Sequence, residues 1–218
     1  MNTTAAYYAQ PRLDVLRHVP RSAARILDVG CGAGALGAGI KQRQRATVVG
    51  VEYVAAQAVQ AACVLDAVHV GDVQTLELPY APGTFDCLIY ADVLEHVVNP
   101  WMVLARHRAL LAEGGTLIVS LPNVQFIGVI AGLLRGMWNY RERGVLDRTH
   151  LRFFTRRTAH ALIEQAGYQV TALHRNYRWF DAPHPWVHRT ARLAGLLPWV
   201  RDLFTYQFVF VAGPVPSP

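Results

Sequence analysis

The sequence predicts an α/β fold: a doubly wound, mostly parallel sheet with helices on both faces. Three observations point to it. Short apolar runs bounded by turn residues recur along the chain, and segments of helical composition separate them. Hydrophobic residues make up 52% of the 218 residues and charged residues only 17%, a balance suited to a sheet covered on both sides. A chain of this length buries a core without disulfide or metal staples, and a single domain over residues 1–218 is expected.

Residues 25–30 (RILDVG), 47–52 (TVVGVE), 85–90 (FDCLIY) and 116–121 (TLIVSL) read as buried parallel strands, with a shorter one at 67–70. Residues 35–45, 54–65 and 100–111 read as the helices between them. An irregular insertion follows at about 124–154 and is expected to bind the acceptor or cover it as a lid. A helix at 155–166 has Thr155 as its N-cap and Gly167 as the glycine past its end. Strands at 168–173 and 206–212 bring the expected number to seven, with an apolar, arginine-bearing helical segment between them.

Composition excludes several classes. The longest apolar runs, 124–134 and 194–200, fall short of the ~18 residues of a membrane span, although they suit peripheral contact with a membrane surface. The opening residues show no charged n-region followed by an apolar h-region, so no secretory leader is expected and a cytoplasmic location is. Cys31, Cys63 and Cys87 are odd in number and irregularly spaced, which argues against a disulfide framework and for small buried residues. Net charge is +6 and Lys41 is the only lysine. Arg135, Arg141, Arg143, Arg148, Arg152, Arg156 and Arg157 crowd one stretch whose only acids are Glu142 and Asp147, a concentration suited to an anionic or lipid-linked partner. Nucleic acid is not expected, because these arginines are not interleaved with a recognisable RNA motif. His184 and His188 have helical spacing, but flanking prolines and the lack of an accompanying acid argue against a metal pair. Oligomeric state is not legible.

The strongest local signal is Ile26-Leu27-Asp28-Val29-Gly30-Cys31-Gly32-Ala33-Gly34, an apolar strand running into a glycine-rich turn that opens a helix. Glycines let backbone approach a ligand, and the helix start offers free amides. The spacing is G-x-G-x-G, not the G-x-G-x-x-G of nicotinamide sites. Glu52 ends the second strand, where an acid can accept from both hydroxyls of a ribose. Residues 28–34 resemble motif I of class I S-adenosylmethionine-dependent methyltransferases, Gly71-Asp72-Val73 resembles that family's adenine-binding acid, and residues 85–96 with Asn99-Pro100 resemble its motif IV. Residues 111–117 resemble the turn before its fifth strand, so the resemblance covers about half the chain. It implies a seven-stranded Rossmann-like sheet, S-adenosylmethionine as cofactor, and cofactor contacts from Asp28, Gly30, Cys31, Gly32, Gly34, Glu52, Tyr53, Asp72, Val73, Ala91 and Asp92.

Methyl transfer is an in-line displacement at a carbon activated by the sulfonium, so the protein aligns an acceptor and removes its proton. Asp92, Glu95 and His96 follow the fourth strand, on the side where such sheets bind ligands. His96 is the first candidate for base, with His150 as its orienting partner and Glu95 as an acid in the first turn of a helix. Residues 147–155 resemble a segment of bacterial O-methyltransferases of hydroxylated small molecules and glycans, and Phe126, Met137, Trp138, Asn139 and Tyr140 offer faces for an acceptor. The reading is therefore O-methylation of a small hydroxylated metabolite or glycan unit. The alternatives are an RNA ribose 2′-O-methyltransferase and a non-catalytic S-adenosylmethionine-binding module. Asp92-x-x-Glu95-His96 with His150 also resembles the metal-holding arrangement of small-RNA 2′-O-methyltransferases, and ubiquinone-pathway O-methyltransferases share a related segment. Here Asp92 stands where the former have glutamate. A divalent metal is compatible with these residues, but a metal-free site is favoured and no metal ligand is assigned.

Overall fold

The computed structural model describes residues 12–179, 193, 196–198 and 200–215. His184, His188 and part of the apolar stretch at 194–200 lie outside the described residues. Strands β1 (Arg25–Val29), β2 (Thr47–Glu52), β3 (Ala67–Val70), β4 (Phe85–Ala91), β5 (Leu111–Pro122), β6 (Tyr168–Tyr177) and β7 (Thr205–Pro214) form one seven-stranded sheet in the order β3-β2-β1-β4-β5-β7-β6. The first five run parallel, and β7 enters antiparallel between β5 and β6. This is the expected mostly parallel sheet of the class I methyltransferase fold.

Two apolar layers hold it. Along β1 the side chains alternate: Leu27 and Val29 pack with Val103, Leu104 and Leu162 on one face, and Ile26 packs with Leu36 and Ile40 on the other. The first face is covered by α4 (Pro100–His107) and α6 (Arg156–Gln165), the second by α1 (Leu13–Leu16) and α2 (Ala35–Arg43). Helix α3 (Ala55–Ala61) follows β2, α5 (Ile127–Leu133) lies in the insertion, and α7 (Arg201–Phe204) precedes β7.

Local chemistry sets the ends. Asn99 Oδ1 accepts the Met102 amide at 3.1 Å and Pro100 occupies the first turn of α4, where its missing N–H costs nothing. Thr155 and Thr158 form a capping box at the start of α6, and Gly167 at φ +86° stops the chain beyond it, as the sequence predicts. The fourth helix ends at His107 instead of 111 and tightens into a 3-10 turn at Arg108–Leu110 before β5 begins at Leu111. Ala112–Gly115 are absorbed where the β4–β5 register jumps from Phe85/Leu111 to Cys87/Thr116. Among the cysteines, Cys31 and Cys87 are buried, whereas Cys63 is exposed, contrary to expectation. It sits in the turn after α3.

Strand β1 lies between β2 and β4, and the order reverses at this point, so the carboxyl ends of β1, β2 and β4 open one crevice. The insertion stands beside it on a small apolar base of Phe126, Val129, Val145 and Tyr206. Asn123 pins its entry by donating to the carbonyls of Asp202 at 2.7 Å and Thr205 at 2.8 Å. Among the described residues, no helix is long and apolar enough to cross a membrane.

Candidate active site

The turn after β1 folds back over the end of β2. Gly30 and Cys31 both donate their amides to the Val51 carbonyl, at 2.8 and 3.1 Å. Gly30 has φ +71°, and a Cβ there would lie 2.4 Å from Val93 Cγ2, so only glycine lets this turn meet the loop after β4. Gly34, at φ +84°, opens α2 without a side-chain cap. Cys31 turns its sulfur into the core against Gly50, which leaves only its backbone to face a ligand.

Two buried acids flank the turn. Glu52 accepts the Gly32 amide on Oε2 and the Val54 amide on Oε1, each at 2.8 Å, so it clips the glycine turn to its own strand end. A carboxylate oxygen has two acceptor sites, and the ribose-binding capacity expected of Glu52 survives these bonds. Asp28 is 1% exposed, and among the described residues its Oδ2 has no hydrogen-bond partner. Burial, with the Glu52 charge second, pushes its carboxyl up to about 7. A cation brought into this crevice would reverse that penalty.

The third acid, Asp72, is half-buried and builds its own turn: Oδ1 accepts the Gln74 amide at 2.9 Å. Gln74 then accepts the Val98 amide on Oε1 at 2.9 Å, tying this turn to the segment after β4. Val73 packs against the larger core cluster and Ala91 against the other, while Tyr53 is 73% exposed at the rim.

At the end of β4 Asp92 adopts φ +59°, an uncommon conformation for a residue with a side chain, most often tolerated by Asp and Asn. Its carboxylate pairs with Arg12 and accepts from Gln207, and Gln207 and Arg12 also donate to Ser120 Oγ at 2.8 and 2.9 Å. Asp92 is therefore committed to a network spanning the segment before α1, β5 and β7, which the sequence reading did not find. Ser120 and Gln207 carried a signal, as lone polar residues within apolar strands. Arg12 carried none.

The next turn, Leu94–His96, gathers the second polar group. Glu95, His96 and His150 bring one ligand-type atom each within 4.8 Å of the others, whereas Asp92 stands outside this set. Asp92 pairs with Arg12 in place of joining this set. Glu95 stands in the first turn of this short helix as expected, yet it is only 1% exposed, and its backbone carbonyl accepts the amides of Leu151 and Arg152, which docks the insertion here. Burial and then the Asp92 charge raise the Glu95 carboxyl well above its usual range. His150 Nε2 lies 4.0 Å from Glu95 Oε1 and its Nδ1 faces the Val145 carbonyl at 3.1 Å. Burial, with His96 second, lowers its affinity for a proton. The rings of His96 and His150 meet edge to face at 4.7 Å. The hydrogen-bond partner of His96 Nδ1 is Thr149, through its carbonyl at 3.2 Å and its hydroxyl at 3.1 Å, in place of the expected His150.

These donors fit a divalent cation in part. Glu95 Oε2 is buried with no partner among the described residues, and both imidazoles have Nδ1 against a carbonyl, leaving Nε2 for a ligand. Two histidines and one carboxylate suit manganese, iron or zinc better than magnesium.

A glycine turn at the switch point, an acid ending β2 and a polar cluster ending β4 define a class I S-adenosylmethionine-dependent methyltransferase. Residues 1–173 match the family described as methyltransferase domain, and the chain belongs to that family. It is 36% identical over 120 residues to a ubiquinone biosynthesis O-methyltransferase of Xylella fastidiosa, covering 51% of this chain and 48% of that one. It is 29% identical over 188 residues to a protein of the same name from Albidiferax ferrireducens, covering 76% and 71%. The chain thus spans about half the length of the first relative and somewhat more of the second. The crystal structure of a SAM-dependent methyltransferase from Archaeoglobus fulgidus shares the fold, with a TM-score of 0.66 at 15% identity over 96% of this chain and 93% of that one.

Proposed function

We propose that the chain transfers the methyl group of S-adenosylmethionine to a hydroxyl of a small acceptor, a metabolite or glycan unit. The observation that carries this reading is the placement of Glu95, His96 and His150 directly beside the glycine turn, through the contact of Val93 with Gly30. Asp28, Glu52, Asp72 and the backbone of the 30–34 turn hold the cofactor, with Tyr53, Val73, Ala91 and Asp92 around it. His96 takes the proton as the acceptor oxygen attacks the methyl carbon and the sulfonium becomes a thioether. That both relatives above are named O-methyltransferases supports oxygen as the acceptor atom. Release of S-adenosylhomocysteine in the presence of pooled hydroxylated metabolites and lipid-linked glycans tests it, with RNA as the competing pool. Turnover with RNA alone would overturn it.

One observation favours a second reading of the same cluster: the buried Glu95 Oε2, which has no hydrogen-bond partner among the described residues, on a side chain gathered with two imidazoles. A divalent cation held by Glu95, His96 and His150 would lower the pKa of an acceptor hydroxyl. Three protein ligand atoms converge among the described residues, and the metal-free reading is preferred.

We also propose that the acceptor is anionic or lipid-linked and that the insertion touches a membrane surface. Leu133, Leu134, Met137 and Tyr140 are 48, 84, 40 and 57% exposed around Arg135, an apolar tip with a cation at its centre. Flotation with anionic liposomes at low salt tests this, and failure to float would overturn it.

A further inference from the structure

We infer that Asp147, acting through the Thr149 hydroxyl, holds His96 in the tautomer with its proton on Nδ1, so that Nε2 presents a free lone pair to the acceptor. Thr149 and Asp147 are then positioning residues for the base assigned above, on which the catalytic meaning of this inference rests.

Three acceptor-capable atoms surround the shared contact: the Thr149 carbonyl, 3.2 Å from His96 Nδ1, the Thr149 hydroxyl at 3.1 Å, and Asp147 Oδ1, 2.7 Å from that hydroxyl. A carbonyl and an ionised carboxylate only accept. If Nδ1 carries the proton, it donates to the carbonyl and the hydroxyl oxygen, the hydroxyl donates to Asp147, and every contact is satisfied. If Nδ1 is bare, the hydroxyl must turn its single proton toward the ring. Two pairs of lone pairs then face each other, Nδ1 against the carbonyl and Thr149 Oγ1 against Asp147 Oδ1. Only the first arrangement is free of repulsion.

The turn that builds this relay is preset. Asp147 Oδ1 also accepts the Thr149 amide at 2.8 Å, and the His150 amide donates to the Asp147 carbonyl at 3.1 Å. The aspartate thus fixes the loop and orients the hydroxyl with one oxygen. When the acceptor O–H gives its proton to Nε2, the new O–CH3 bond forms and the S–CH3 bond breaks. The resulting imidazolium is then held by the ionised Asp147 through the hydroxyl, without moving a second proton.

The test is the ring-nitrogen spectrum of His96 in the full chain labelled with 15N-histidine, read by long-range proton–nitrogen correlation at a pH where the ring is neutral. His96→Ala assigns the signal. The expected result is a pyrrole-like Nδ1 and a pyridine-like Nε2. Thr149→Val, which keeps the shape but removes the hydroxyl, should move the ring toward the mixed tautomers of a free side chain, and Thr149→Ser should restore the wild-type pattern. A wild-type His96 with its proton on Nε2, or a Thr149→Val spectrum unchanged from wild type, overturns the inference. The measurement needs no acceptor and no turnover, so its failure is distinct from failure of the base assignment, which His96→Ala turnover tests separately.

Discussion

Glu52 Oε2 accepts the Gly32 amide at 2.8 Å, so the acid that ends β2 also clips the glycine turn leaving β1. Loss of this carboxylate should act twice. Glu52→Ala is expected to weaken S-adenosylmethionine binding about tenfold or more, given ~1.5–3 kcal/mol for a charge-assisted hydrogen bond, and to loosen the turn. Calorimetry checks the affinity, and hydrogen exchange at Gly32 checks the turn. A folded variant with unchanged affinity contradicts the assignment.

Asp28 makes cofactor affinity depend on pH. Its carboxyl is raised to about 7 by burial and by Glu52, so the free protein holds a proton there at pH 6. A sulfonium and an ammonium favour the ionised form, and binding must expel that proton. Affinity should therefore rise roughly tenfold from pH 6 to pH 7.5 and then level off. In Asp28→Asn the profile should be flat over that range.

The same shift sets the sign for stability of the ligand-free protein. An acid whose folded pKa is raised keeps its proton in the native state after the unfolded chain has released it. Asp28 therefore makes the fold less stable as pH rises from about 4 to about 7. Denaturant titrations at both pH values should show the loss, and Asp28→Asn should remove that component.

Gly30→Ala should cost about 1–3 kcal/mol of stability, since it combines φ +71° with a Cβ 2.4 Å from Val93 Cγ2. Trimming the neighbour with Val93→Ala should recover the part due to the clash, and leave the part due to the backbone. Denaturation of the two single variants and the double variant separates them.

Exhaustive chelation should leave turnover intact if His96 acts as a free base. Loss of turnover restored by manganese or zinc would instead assign the metal to Glu95, His96 and His150.

Much of the sheet was legible because each buried strand writes its own local signal. Strands β2 and β3 lie where the apolar runs place them, and the Thr155 cap and Gly167 stop bound α6 as expected. The glycine turn was legible for the same reason, since positive φ demands a residue type. What failed was anything set by distant pairing. The first residues of β5 read as a turn because the bulge opposite Phe85 has no local signature. The docking of the insertion on the Glu95 carbonyl was not legible because Leu151 and Arg152, which donate to it, lie more than fifty residues on. The pairing of Asp92 with Arg12 and Gln207 was not legible, because nothing near it in sequence announces either partner. Thr149 falls within the 147–155 segment that carries the resemblance, but its role needs the loop that brings it to His96.

The central claim, methyl transfer from S-adenosylmethionine to a hydroxyl with His96 as base, is tested most directly with the labelled cofactor. S-adenosylmethionine bearing a 13C-methyl group, incubated with the protein and a pool of hydroxylated acceptors, should yield product whose labelled carbon resonates as a methoxyl. His96→Ala should bind the cofactor normally and form that product at least a hundredfold more slowly, within the ~10²–10⁴ range of general base catalysis. Label appearing on nitrogen or carbon, or full turnover by His96→Ala, would contradict the account.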